Sequence, residues 1–239
     1  MPEPVLRFGV HGSYQLATDL LASVRRDPGQ VEFVPYDVRR PFDELRAGLT
    51  DVMIVKYPLR EPDIAFSAPV AHDGRAVIVA AGHPLARRDE VSVEEVAAYD
   101  VFDRPGDFPA YVWDRVVPPL TPGGRPLRRV HPMTTTEEMA DVLRRTEAAH
   151  LSFRSLAAAG LPGIAVVPVR DLPPAPVSLA WSRHAERPAH VRRFIADVTA
   201  VTAVTAVTAV IAAVGDTAAG THSATGTTGT TEPERSTAR

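Results

Sequence analysis

The 239-residue chain has no cysteine, which removes disulfides, thiolate metal sites and cysteine nucleophiles together. It has little net charge, −3 with a pI near 6.2, so no broad basic surface for nucleic acid or anionic membrane is indicated. The opening Met1-Pro2-Glu3-Pro4 lacks the basic start, apolar stretch and small-residue cleavage site of a secretory signal, and the expected location is the cytoplasm. The longest apolar-looking run, Val198 to Val214, is broken by threonines and has no flanking anchors, so it is not read as a membrane span. The catalytic and cofactor signatures HExxH, GxSxG, P-loop and GxGxxG are missing. The eight histidines include no pair at the i, i+4 spacing of a helical metal site. No catalytic residue, metal or cofactor is therefore expected.

What is present is a globular composition, 45% hydrophobic and 23% charged, arranged as alternating strands and helices. Val5 to Val10 is strand-like and His11-Gly12-Ser13 a turn. From Tyr14 to Arg26, Leu16, Leu20 and Val24 recur every four residues with Ala17 and Leu21 beside them, a helix face closed by Asp27-Pro28-Gly29. Val31 to Val34 is a second strand, Phe42 to Ala47 a short helix stopped by Gly48, and Asp51 to Val55 a third strand, apolar on both faces as a central parallel strand would be. Arg75 to Ala81 follows, then Gly82-His83-Pro84-Leu85, and Ser92-Val93-Glu94-Glu95 has the spacing of a capping box. Short strands are expected at 100–103, 128–130, 149–153, 164–169 and 177–181, with helices at 108–117, from Thr135 and from Ala189. Alternation of this kind predicts parallel sheets wound by right-handed crossovers. The units are too many for one small sheet, and two similar lobes accommodate them: lobe I at about 5–75 and 177–198, lobe II at about 76–176. Beyond 198, Thr-Ala-Val repeats four times from Thr199 to Val210, and the Thr/Gly/Ala/Ser-rich end reads as a disordered low-complexity tail over 199–239.

Leu6-Arg7-Phe8-Gly9-Val10, Leu45 to Val52, Gly82-His83-Pro84-Leu85-Ala86, Gly163 to Pro168 and Val177 to Trp181 stand in an order and spacing that resemble the effector-binding domain of LysR-type transcriptional regulators. The resemblance runs from Leu6 to about Val198. It implies an α/β, two-lobed fold of the type 2 periplasmic-binding-protein kind, with mainly parallel sheets flanked by helices. Two departures stand out. The family carries a helix-turn-helix and linker helix ahead of this domain, whereas strand one here starts at residue 5. The family's glycine-rich end to the helix near Thr135 is replaced by Arg144-Arg145-Thr146-Glu147-Ala148-Ala149.

Ligands of wound sheets sit at the carboxyl ends of strands, where helix N-termini face a crevice. Gly12 and Ser13 after the first strand offer free N–H groups and a hydroxyl, and Thr134 and Thr135 offer the same from the second lobe; the alternative role of Ser13 and Thr135 is capping alone. Arg39 could neutralise an anion, as could its neighbour Arg40. Arg104 and Phe108, with Tyr111 and Trp113, could wall the cleft, Trp113 reading chiefly as core. His83 reads as structural. The resemblance implies a sensor of a small, anionic or aromatic effector, working as a homodimer or with a full-length LysR-type regulator, off the membrane, and reaching DNA only through a helix-turn-helix not present in the chain. The alternatives are an enzyme on the same scaffold, such as a chorismate-dehydratase-like lyase, and a transport-type solute-binding protein.

Overall fold

The computed structural model describes residues 5–202. Its first sheet is built around β1 (Leu6–Val10) and β3 (Val52–Lys56). β2 (Val31–Pro35) and β3 flank β1, both parallel to it. The alternation of β1 is legible in its burial: Leu6, Phe8 and Val10 face inward beneath α1 (Gln15–Ser23), whose Ala17, Leu20 and Leu21 cover them. A final helix from 189, helical through 202, adds Val191, Phe194, Ile195 and Val198 to the same layer. The opposite face packs Met53 and Val55 of β3 on Phe42 and on Leu45 of α2 (Asp43–Arg46). Both faces of β3 are covered, which is why it is apolar from Val52 to Val55.

The sheet is then completed by strands of opposite sense. β11 (Ala175–Ser182) runs antiparallel to β3, to β4 (Ile64–Phe66) and to β5 (Ala71–Asp73), giving the order β2-β1-β3-β11-β4 with β5 also on β11. Neither β4 nor β5 was expected from the sequence, because each is three residues long and too short to show a period.

The chain leaves this sheet at Gly74 and enters β6 (Arg75–Ala80), whose Ala76 to Val79 are fully buried. β6 is central to a second sheet, between β9 (His150–Phe153) and β10 (Ile164–Pro168), antiparallel to both. β7 (Asp100–Phe102) and β8 (Arg128–His131) form a parallel pair that a bridge from Val101 to Ala149 brings beside β9. The helices α3 (Val93–Val96), α4 (Ala110–Val116) and α5 (Thr136–Arg145) pack on this second core.

The fold is thus two-lobed α/β with mixed sheets. The expected parallel crossovers hold for β2-β1-β3 and β7-β8, while the strands that carry the chain between lobes, β5, β6 and β11, pair antiparallel. A chain that returns along the strand it left by must reverse direction, and a pattern of apolar residues does not record that sense. The expected disordered tail lies outside the described residues except for 199–202, which are helical and whose Thr202 Oγ1 donates to the Val70 carbonyl at 3.1 Å.

Two capping arrangements expected from sequence are present. Ser92 accepts from Glu94 N at 3.0 Å while Glu95 Oε2 accepts from Ser92 N at 2.8 Å, completing the box, and the Ser92 hydroxyl also donates to Asp171. Thr135 accepts from Glu138 N at 3.1 Å. Ser92→Ala should lower stability by about 1–2 kcal/mol, since it removes both a cap and a bond to a carboxylate. Urea unfolding should show a lower midpoint with an unchanged slope.

Candidate ligand cleft between the lobes

The carboxyl ends of β1 and β3 face α4, the start of α5 and β9 across a cavity of about 180 Å³. Its walls are mostly apolar: Leu16, Val38, Phe42, Met53 and Val55 from the first lobe, and Phe108, Val112, Trp113, Met133, Met139 and Phe153 from the second. That volume is below the roughly 300–1,000 Å³ of pockets for drug-sized ligands. It exceeds the ~150 Å³ apolar cavity that accepts benzene. A ligand of about one ring fits.

The cavity continues into an outer space of about 480 Å³. His11, Gly12, Ser13, Tyr36 and Thr136 line both, and Gln15 and Glu137 border the outer one alone. Two helix starts, those of α1 and α5, therefore meet there. Gly12 has φ +72°, a left-handed conformation that a side chain would strain, and lies against Leu156 of the other lobe.

Polar groups sit at defined places in the walls. Lys56, at the end of β3, pairs with Asp73 at 2.9 Å, donates to Ser155 Oγ at 3.4 Å and lies 3.8 Å from the Phe153 ring centroid. Burial pulls its pKa below the usual lysine value, against the opposing pull of Asp73. Arg75 is buried beside it and donates to Ser152 O at 3.2 Å, Tyr57 Oη at 3.0 Å and Arg115 O at 2.9 Å, and also to Val116 O. Its charge is thus spent on backbone and phenol oxygens behind the cavity. His150 lies between the edge of Phe102, centroids 5.2 Å apart, and the stacked face of Trp113 at 6.2 Å. Burial, with repulsion from His11 and Arg75, pushes its pKa down to about 3. His11 contacts Tyr36 O through Nδ1 at 3.2 Å, and burial lowers its pKa as well.

Contacts across the cleft hold the lobes together at its rim. Asp107 N donates to Arg39 O at 2.7 Å, and Gly106 packs so closely on Arg39 that a Cβ there would stand 2.8 Å from it. Tyr111 Oη donates to Glu61 Oε2 at 2.6 Å and accepts from Arg60 N at 2.7 Å.

Of the residues singled out in sequence, Gly12, Ser13 and Phe108 line the cavity. Thr136 lines it in place of Thr135, which is exposed and caps α5, and in place of Thr134, whose hydroxyl bonds Glu138. Arg39 is turned to Asp37, pairing at 2.7 Å, and meets the other lobe through its backbone. Arg104 folds back onto Gly106 O and Phe108 O, both at 2.8 Å. His83 is buried in its turn, accepting from Leu85 N at 3.1 Å. Trp113 is core and cavity wall at once. Sequence reasoning missed Lys56, His11, Tyr36 and His150. The signals were a lysine closing an apolar strand and a histidine inside one.

The family model of the LysR substrate binding domain matches residues 1–203. The chain belongs to this family. As a LysR substrate-binding domain it resembles solved structures in fold: the LysR family transcriptional regulator CbnR (TM-score 0.65, 16% identity, 83% of this chain and 70% of that one). The effector-binding domain of BenM with its effector benzoate aligns at TM-score 0.59 and 17% identity, over 85% of this chain and 94% of that one. That of QuiR in complex with shikimate aligns at 0.60 and 16%, over 82% and 94%. No curated protein matches the chain. Among the described residues, no helix is long and apolar enough to cross a membrane.

The buried histidines make this LysR domain sensitive to acid. Between about 3 and 6.5 the unfolded chain holds a proton that His150 refuses in the fold, so stability rises with pH across that window. His11 acts in the same direction. Moving from about pH 7 to about pH 5 should lower the urea midpoint. His150→Phe should flatten the dependence.

Proposed function

We propose that this LysR domain binds a compact effector in the cleft between its lobes and passes the resulting change in lobe arrangement to the DNA-binding part of a transcriptional regulator in the cytoplasm. The observation that carries the reading is the enclosed apolar cavity that opens between two helix starts. Helix N-termini favour a carboxylate or other polar oxygen, and the walls favour a ring or a short aliphatic body. An effector with an aromatic or apolar body and one acidic or polar end suits both. The effector-binding domains of BenM and QuiR, similar in fold, are crystallised with benzoate and with shikimate, each a one-ring carboxylate. Of the residues chosen from sequence, Gly12, Ser13 and Phe108 are proposed to touch the ligand; Arg39, Arg104, Thr134 and Thr135 are proposed to act at the rim, by shaping the loops and the cap.

The two lobes are proposed to comprise about 5–75 with 177–198 and about 76–176. A ligand touching both shifts the equilibrium toward the closed arrangement by as much as it prefers it. Dimerisation, with itself or with a full-length relative, completes the proposed regulator. Binding without turnover is proposed, as regulation requires.

Thermal denaturation of the full chain against a library of small carboxylates and ring compounds tests this. A true effector at 100 times its Kd should stabilise by about 2.7 kcal/mol. Ser13→Trp, which fills the mouth without touching either core, should abolish the shift. A hit recovered chemically altered after incubation would favour an enzyme instead.

A further inference from the structure

The inner wall of the cleft contains an unpaid polar cost. Nδ1 of His150 and Nε1 of Trp113 are both buried without a hydrogen-bond partner, and both side chains line the cavity. Buried polar atoms are overwhelmingly satisfied in folded proteins, and leaving one unmade costs about 1–3 kcal/mol. Here two of them lie stacked against each other, ring centroids 6.2 Å apart. They belong to different elements, β9 and α4, so no single local distortion accounts for both.

Their position is also specific. His150 and Trp113 line the inner cavity but not the outer space where the helix starts meet. Ser152, two residues further along β9, adds a hydroxyl to the same wall. The lysine and the buried arginine nearby are engaged, Lys56 with Asp73 and Arg75 with carbonyl groups. A half-turn of the imidazole exchanges its nitrogens with ring carbons while leaving it in the slot between Phe102 and Trp113. Either edge of the ring can therefore carry the nitrogens at little steric cost.

Resting on the cleft being the effector site, we infer that the effector carries an uncharged hydrogen-bonding oxygen, a hydroxyl or a carbonyl, on the side of its ring that enters first, and that His150 with Trp113 selects for it. Trp113 supplies only a donor, so the group must accept; neutral histidine donates or accepts and thereby takes either a hydroxyl or a carbonyl. Burial keeps His150 neutral, so a second carboxylate at this end would be desolvated without a counter-charge. The class is a one-ring hydroxy or oxo compound whose acidic or polar end faces the helix starts. A site built to bond an oxygen rejects the analogue that lacks it, because its own polar atoms are then left bare.

The test uses two probes of nearly the same shape, 4-fluorophenol and 4-fluorotoluene, titrated into the full chain and followed by fluorine NMR. Both should enter the cavity. The phenol should bind tighter by about tenfold, the size expected of one net hydrogen bond. In His150→Phe the preference should fall by about threefold or more, because only the Trp113 N–H remains to meet the oxygen, while toluene binding stays within about twofold, since the replacement ring keeps the Trp113 stack. Equal affinities in the wild type, or a phenol preference undiminished in His150→Phe, would overturn the inference and leave the cleft as an effector site. Binding of neither probe would overturn the cleft reading along with it. Should the variant fold poorly, nitrogen-15 spectra of the wild-type histidines decide: the phenol, and not the toluene, should shift the His150 ring nitrogens, and the absence of that difference would refute the assignment.

Discussion

Everything in this structure depends on the way the chain crosses twice between two sheets at one place. β5 ends at Asp73, Gly74 turns, and β6 begins at Arg75; on the way back the chain re-enters the first sheet at Ala175, directly opposite Asp73. The two crossings lie side by side because β11 pairs antiparallel with β5 and β3. A Cβ at Gly74 would stand 2.6 Å from Arg154 Cδ, so the exposed Arg154 side chain would have to shift to admit one. Asp73 is buried there, and it is paired with Lys56 at 2.9 Å and accepts from Ser155 N at 3.2 Å. A buried carboxylate is tolerable only with such partners. The pairing therefore ties the end of β3, the crossing strands and the turn after β9 into one corner. The cleft opens away from that corner.

The cleft inherits its chemistry from the same geometry. Apolar walls come from strand ends and from the inward faces of α4 and α5. The starts of α1 and α5 border its mouth. The inner wall, where β9 and α4 meet, holds His150 and Trp113, each with a buried nitrogen that has no partner. The likeness to solved LysR effector-binding domains is one of scaffold, and a scaffold of itself leaves the choice of ligand open.

Much of the fold was legible in the residues. Leu16, Leu20 and Val24 at helical spacing located α1, and Ser92 with Glu95 marked a capping box that is present to the atom. Val52 to Val55, apolar on both faces, identified the strand that lies between two cores. The place of the cavity was legible in outline: Gly12, Ser13 and Phe108 line it, since the ends of strands in wound sheets are where such cavities lie. Arg39 and Arg104, attractive as free cations, are each turned onto groups within a few residues. Local partners of that kind are invisible to a reading that counts charges.

Periodicity, capping and the order of strands thus sufficed for an alternating α/β chain, and the order of the matching segments for the resemblance to the family and its two-lobed fold, because each is written in spacing along the chain. The antiparallel return of β11, the corner at Asp73 and the company kept by His150 were settled only when distant segments met. A histidine in an apolar strand has the same sequence signature whether its nitrogens are satisfied or bare. What separates the two cases is which side chains from β7 and α4 reach it, and that is a property of packing across more than thirty residues of chain, carried by contacts to Phe102 and Trp113.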